Sequence, residues 1–149
     1  MKKVVHSVSC VVFNQRPKAL KDLSVLLIRR EKDPFKGRWT FPGGHQEPDE
    51  THSQATVREV LEETGLDVAL LNEKTPDFMA EVPAPDKMYV IRTSAAVPKS
   101  LVPASERENI VMKWFACSAL LAGSELKDEE CTPGLLGVLN RAISNNLRP

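Results

Sequence analysis

The sequence predicts an α/β fold in which a mixed β-sheet is sandwiched between α-helices. Two observations support this prediction. Short runs rich in Val, Ile and Leu occur in both halves of the chain, and two helix patterns lie at separate positions in the sequence. A chain of 149 residues can bury a substantial core but is short for two domains. We therefore expect a single domain over residues 1–149.

The chain is expected to begin with two strands and two loops. The strands are predicted at Val8 to Phe13 and Ser24 to Ile28, because both segments are short and rich in aliphatic residues. The polar segment Asn14 to Asp22 joins them. A longer loop follows from Arg29 to Gly44, where Pro, Gly and aromatic residues interrupt every periodic pattern. Long loops often carry function.

A helix is predicted directly after this loop. Thr51 and Gln54 form a capping-box pair at its start, and Gly65 provides its stop. The predicted apolar stripe consists of Val57, Val60, Leu61 and Thr64.

The second half is expected to add four strands and a closing helix. The strands are predicted at Leu66 to Leu71, Asp77 to Val82, Met88 to Val97 and Val111 to Ala116. Pro83 to Asp86 reads as a turn. Thr132 as N-cap and Pro133 at the first helical position predict the helix. Its apolar face is expected to contain Leu135, Leu136, Leu139 and Ile143.

Composition excludes several classes of protein. Twenty basic and 20 acidic residues give zero formal net charge, which disfavours binding to duplex nucleic acid. Cys10, Cys117 and Cys131 are odd in number and form no Cys-x-x-Cys pattern, so reduced thiols in a cytoplasmic protein are expected. The sequence contains no segment long and apolar enough to span a membrane, and we expect no membrane association.

The predicted first helix carries an unusual acidic face. Glu59, Glu62 and Glu63 stand at positions i, i+3 and i+4, so their carboxylates lie on one side of the helix and repel one another. Arg58 is the local cation that could relieve this repulsion. A solvated acidic face is the alternative for such a pattern. The adjacent glycines Gly43 and Gly44 upstream favour a ligand site, and a hard divalent cation would suit the carboxylates.

Together these residues resemble the Nudix box. That pattern is Gly, five residues, Glu, seven residues, Arg-Glu, an aliphatic residue, any residue, Glu-Glu, any residue, Gly and an aliphatic residue. The segment Gly44 to Leu66 fills every defined position with both spacers at the right length. The resemblance implies the Nudix fold and Mg²⁺-dependent hydrolysis of a pyrophosphate bond in a nucleoside diphosphate linked to another group. Mn²⁺ is expected to substitute for Mg²⁺.

The resemblance also implies residue roles. The metal ligands would be Gly44, through its carbonyl, and Glu59, Glu62 and Glu63. Glu62 could instead support the ligands or reach a bridging metal. Glu50 and Arg58 resemble a pair that braces the loop against the helix.

The general base is less determined by the pattern. The catalytic candidates are Glu59 and Glu62 in the box and Glu108 in a later loop, with Glu106 as a near alternative to Glu108. A plain surface position is an equally good interpretation of either late glutamate.

Substrate contacts are expected from the loop before the box. Arg29 or Arg30 could hold a phosphate, although a surface position suits them equally. Trp39 or Phe41 could stack on a base, but filling the core is the more common fate of such aromatics. The stretch Asp33 to Trp39 resembles Nudix members assigned to ADP-ribose, whereas the short N-terminal region favours other substrates, such as a nucleoside triphosphate. The partner is thus a small nucleotide, and a monomer or homodimer is expected. A nucleotide sensor without turnover is the alternative function.

Overall fold

A computed structural model describes residues 2–100 and 112–147 of the chain. The strands are β1 (Lys3–Val12), β2 (Ser24–Arg29), β3 (Trp39–Thr40), β4 (Gly43–His45), β5 (Val68–Leu70), β6 (Phe78–Pro83), β7 (Lys87–Pro98) and β8 (Met112–Ala116). The helices are α1 (His52–Thr64), α2 (Cys117–Leu121) and α3 (Leu135–Asn146). The strands and both long helices thus lie where the sequence patterns predict them. The helix α2 and the short strands β3 and β4 were not predicted.

Five strands form the predicted mixed sheet. Its order is β4-β1-β7-β5, and β6 pairs with a different part of β7. The pair β1 and β7 is parallel, with Val8 opposite Arg92, while the other pairs are antiparallel. The central strands are therefore β1 and β7, which are far apart in the sequence. Strand β4 lies at one edge of the sheet, and β5 and β6 lie at the other.

Three strands form a second, antiparallel sheet in the order β3-β2-β8. The sequence patterns predict a single sheet, so this division is a correction. It arises because β2 forms its ladders with β3 and β8, whereas the segment directly after β1 meets β2 through an isolated bridge between Phe13 and Val25. The chain segment that supplies β3 continues directly into β4, and thereby joins the two sheets beside α1.

Two apolar cores lie on opposite sides of the mixed sheet. Successive side chains of a strand point to opposite faces, and β1 shows this alternation: Cys10 and Val12 pack in one core, Val11 and Phe13 in the other. The first core includes Val60 of α1, and the second includes buried residues of α2 and α3. The expected arrangement of a sheet between helices is therefore confirmed.

Helix α1 begins and ends as its sequence predicts. Thr51 and Gln54 form both hydrogen bonds of a capping box, and Gly65 ends the helix in the left-handed conformation at φ 79°. The predicted apolar stripe needs one correction. Leu61 is 46% exposed, whereas Ala55 and Thr56 are buried. The buried face of α1 therefore contains Ala55, Thr56, Val60 and Thr64 and excludes Leu61.

Helix α3 begins later than predicted. Thr132 does not cap it; the N-cap residue is Gly134, which has a left-handed backbone and makes no side-chain cap. The Thr132 hydroxyl instead donates to the hydroxyl of Thr40, and its amide donates to the carbonyl of Trp39. This contact ties the segment before α3 to the small sheet. Leu136 is only partly buried, whereas Leu135, Leu139 and Ile143 are buried as predicted.

Candidate active site

The glutamates of α1 meet the backbone of β4 at the edge of the mixed sheet. The amide of Gly43 donates a hydrogen bond of 2.6 Å to Oε1 of Glu63. A Cβ atom at Gly44 would lie 2.5 Å from Oε2 of Glu59, and one at Gly43 would overlap the carbonyl of Val8. The two glycines therefore allow the carboxylates and the strand to approach more closely than any other residue type would permit.

Glu63 is held in an unfavourable environment for a negative charge. Burial raises its pKa to about 7, and the nearby carboxylates of Glu59 and Glu62 act in the same direction. The Gly43 amide and the charge of Arg30 oppose this shift but do not cancel it. A carboxylate placed in this way favours a positively charged ligand.

Arg58 lies among three carboxylates. Its guanidinium donates to Glu50 at 2.7 and 2.8 Å, to Glu59 at 2.9 Å and to Glu62 at 3.3 Å. It also donates to the carbonyl of His45 at 3.0 Å. Glu50 and Glu59 are mostly enclosed, with side chains 15% and 14% exposed, while that of Glu62 is 58% exposed. Arg58 therefore connects the loop after β4 to the acidic face of α1.

Glu50 is the strongest partner of Arg58. The hydrogen bonds from Arg58 lower the pKa of Glu50 to about 2, with further help from the Glu47 amide, which donates to Oε1 at 2.9 Å. The same pairing raises the pKa of Arg58. Glu50 is consequently ionised and fully engaged in holding the loop.

The two arginines at the end of β2, Arg29 within the strand and Arg30 directly after it, make different contacts. Arg29 donates to the carbonyl of Gly37, and its guanidinium lies 5.9 Å from the centre of the Trp39 ring. Arg30 donates to the carbonyl of Pro34 and is close enough to Glu63 to lower the pKa of that carboxyl. Of the two arginines, Arg30 is the one whose charge acts on the carboxyl of Glu63.

Both aromatic candidates contribute to packing. Phe41 is 8% exposed and belongs to the core on the α3 side, which favours the core position that the sequence left open as the alternative to substrate contact. Trp39 is half-buried against the same core and meets Phe115 edge-on, with ring centres 5.1 Å apart. The Trp39 indole is thus held by Phe115 at its edge, and the guanidinium of Arg29 lies over one of its faces.

The donor chemistry of this region fits a hard divalent cation. Carboxylates and backbone carbonyls are the oxygen ligands that Mg²⁺ uses, usually together with water and phosphate oxygens. Within residues 2–100 and 112–147, however, His, Cys, Asp and Glu side chains form no group of three that could hold an ion alone. Backbone and substrate oxygens would have to complete the coordination. Glu108 and Glu106 lie outside the described residues.

Sequence reasoning missed the backbone contributions. The Gly43 amide that binds Glu63 and the His45 carbonyl that binds Arg58 are main-chain groups, which side-chain patterns do not reveal. The adjacent glycines at 43 and 44 were the available signal, since they mark a place where backbone approaches another group closely.

A family comparison agrees with this geometry. The family model for the NUDIX domain matches residues 4–135. The chain belongs to the Nudix family. Nudix membership thus extends from β1 to the start of α3, well beyond the box that first indicated it.

Similar proteins include an ADP-ribose pyrophosphatase from Methanocaldococcus jannaschii, 54% identical over 46 residues. That match covers 31% of this chain and 27% of the archaeal protein. An 8-oxo-dGTP diphosphatase from Proteus vulgaris is 37% identical over 81 residues, which cover 52% of this chain and 67% of that protein. Among solved structures, a Nudix hydrolase from Nitrosomonas europaea has a TM-score of 0.72 at 22% identity, covering 99% of this chain and 93% of that one. It shares the Nudix fold. None of the described helices has the length and apolar composition needed to cross a lipid bilayer.

Proposed function

We propose that the protein hydrolyses a pyrophosphate bond in a nucleoside diphosphate derivative with the help of Mg²⁺. The observation that supports this most directly is the position of Glu59 and Glu63, two partly buried carboxylates held against the glycines of β4. Burying like charges side by side costs free energy, and a bound cation with substrate phosphates would offset this cost.

The proposed ligands are Glu59 and Glu63, with the exposed Glu62 at the margin of the site. The backbone ligand needs one refinement. In a paired strand, the N–H and C=O of one residue point to the same side. Because the Gly43 amide points at Glu63 and away from β1, the carbonyl of Gly43 is favoured as a ligand over that of the predicted Gly44, which faces β1. When bound, Mg²⁺ would supply an activated water and neutralise charge on the phosphate oxygens.

The remaining side chains are proposed to orient and neutralise. The charge of Arg30 acts on Glu63, and its guanidinium is proposed to hold a phosphate oxygen of the substrate. Arg58 and Glu50 keep the loop after β4 in place. The base that accepts the proton of the attacking water is proposed to be Glu59 or Glu108, and Glu108 stays a prediction from the sequence alone.

Two substrate classes follow from the relatives. The archaeal relative is named for ADP-ribose, and the Proteus relative for 8-oxo-dGTP. We propose that the substrate belongs to one of these classes. A panel of both, with Mg²⁺ or Mn²⁺ and identification of the products, distinguishes the classes. The products also show which phosphorus is attacked.

Glu63→Gln is the variant that tests the site. It keeps an oxygen that can accept the Gly43 amide but removes the charge, so turnover should fall at least about a hundredfold while the circular dichroism spectrum stays unchanged. Glu81→Gln, an exposed position on β6, is the matched control and should keep full activity. Unchanged turnover in Glu63→Gln would refute the ligand assignment. Absence of turnover by the unmodified protein across the panel would instead favour a nucleotide sensor.

We further propose a single domain that works in the cytoplasm. The three cysteines are buried free thiols, which suits a reducing compartment. A single cooperative unfolding transition, unaffected by added reductant, is the expected result.

A further inference from the structure

A cavity lies at the edge of the mixed sheet, beyond the end of β4. Its volume is about 490 Å³, within the range of small-molecule sites. The cavity forms because β4 pairs with β1 only from Ser7 to Ser9, so the earlier residues of β1 have no β4 neighbour. Its walls are Lys3, Val4, Val5, His6, His45, Gln46, Glu47, Pro48 and Lys87. None of the proposed metal ligands is among them.

Two lysines give this cavity a local positive charge. Lys3 and Lys87 are directly paired across β1 and β7, where like charges repel. Neither forms an ion pair with another described residue, although Glu47 also lines the cavity. An anionic group bound between the two ammonium groups would relieve the repulsion.

His6 adds a fixed donor. Its Nδ1 lies 3.0 Å from a guanidinium nitrogen of Arg92. Because a guanidinium can only donate hydrogen bonds, Nδ1 must accept, and the ring proton is therefore on Nε2. His6 thus supplies an N–H donor from the cavity wall.

Gln46 adds an acceptor without a partner. Its amide nitrogen donates to the carbonyl of Glu50 at 2.7 Å, which fixes the orientation of the side-chain amide. The Oε1 atom is buried and has no hydrogen-bond partner among the described residues. A buried acceptor is costly unless a donor reaches it, and because Gln46 lines the cavity, a small shift of its side chain would bring Oε1 within reach of a ligand hydroxyl group.

We propose that this cavity binds a phosphorylated small molecule that carries hydroxyl groups, such as a sugar phosphate. The phosphate contacts Lys3 and Lys87, and a hydroxyl donates to Gln46. Hydrogen bonds also connect the cavity wall to the glutamates of α1. Gln46 and Glu47 both donate to Glu50, and Glu50 accepts from Arg58. The ligand is either the distal half of the substrate or a separate molecule, and both share this chemistry.

Binding of ribose 5-phosphate, measured by isothermal titration calorimetry without divalent cations, tests the site. The unmodified protein and Glu63→Gln should bind equally, so this result does not depend on the proposed hydrolysis. The double variant Lys3→Met/Lys87→Met should bind about tenfold more weakly or worse. Lys21→Met, an exposed lysine outside the cavity, is the control and should match the unmodified protein. No saturable binding by the unmodified protein, or equal binding by the double variant, would overturn the proposal.

Gln46→Met tests the hydroxyl contact separately. The unmodified protein should bind ribose 5-phosphate more tightly than inorganic phosphate, and the variant should lose most of this preference because methionine offers no comparable acceptor. An unchanged preference would contradict the assigned role of Gln46.

Turnover distinguishes the two sources of the ligand, and this experiment rests on the proposed function. If the cavity holds the distal half of the substrate, ribose 5-phosphate competes with substrate, and the double lysine variant has a raised KM. If it holds a separate molecule, ribose 5-phosphate changes kcat or leaves turnover unchanged without competing. Either result supports a binding site whose existence the calorimetry has tested.

Discussion

Helices α1 and α3 cover opposite faces of one mixed sheet but differ in what they bring to it. Helix α1 carries Glu59 and Glu63 to the backbone of β4, where burial disfavours the charge of Glu63. Helix α3 brings Leu139 and Ala142, both fully buried, into the core. Its polar groups are satisfied: Asn145 and Asn146 donate to Asp77. We therefore expect the side of α3 to contribute mainly to stability and the side of α1 to carry the proposed chemistry.

Leu139→Ala should have the largest effect on stability. Leu139 is 0% exposed, and its truncation leaves a cavity under α3, so the free energy of unfolding should fall by about 2–5 kcal/mol. Urea denaturation followed by circular dichroism measures the change. Turnover per folded molecule should stay unchanged, because α3 contributes none of the proposed ligands. A loss below about 1 kcal/mol would mean that α3 is not the stabilising helix.

Asp77→Asn tests the polar anchor of α3. The Asp77 carboxylate accepts hydrogen bonds from the Ala95 amide and from the side chain of Asn146, and an amide replacing it would turn a donor toward one of these donors. The free energy of unfolding should fall by about 1–3 kcal/mol. Asp67→Asn is the matched control, because the Asp67 carboxylate forms an exposed ion pair with Lys99, and the loss of this pair should cost less than about 1 kcal/mol. Equal losses in the two variants would contradict the anchoring role.

Glu63→Gln should raise the free energy of unfolding at neutral and higher pH, whereas the two variants above lower it. Burial raises the pKa of Glu63 from its ordinary value of 4.5 to about 7, so the folded state binds more protons than the unfolded state between these values. The stability of the unmodified protein relative to the variant should therefore fall as the pH rises from 4.5 to 7.

Above pH 7 and without divalent cations, the variant should be more stable by about 1 kcal/mol, a value reduced for the water that reaches this carboxyl. Thermal unfolding of both proteins in EDTA, across this pH range, measures the difference. A less stable variant at pH 8 would show that the charge of Glu63 is already compensated without a cation, and the contrast between the two helices would fail.

The same contrast explains which features the sequence could predict. The limits of α1 follow from contacts within a few residues, since Thr51 bonds to Gln54 and Gly65 adopts a conformation that suits glycine. The spacing of the box glutamates is local too. By comparison, Thr132 looked like a helix cap, but it bonds to Thr40, which is 92 residues away. A local pattern cannot anticipate a distant partner that takes over its hydrogen bond.

Part of the candidate site could likewise be predicted from the local sequence, and part of it could not. The face that carries Glu59 and Glu63 follows from helical periodicity. The separation of Arg29 from Arg30 depends on which way the loop turns after β2, and the burial of Phe41 depends on how the two sheets meet. Parallel pairing of β1 with β7 joins residues more than 80 positions apart, for which the local sequence provides no signal.

Leu61→Gln should have the smallest effect and examines where the apolar face of α1 ends. Helical periodicity assigns Leu61 to the buried stripe, but its side chain is 46% exposed beside the fully buried Val60. Leucine and glutamine have similar helix propensities, so the substitution should change the free energy of unfolding by no more than about 0.5 kcal/mol. Val60→Ala should cost roughly 2 kcal/mol in the same denaturation experiment. If Leu61→Gln were equally costly, the outer face of α1 would have to be covered in solution, and α1 would resemble α3 in contributing stability on more than one side.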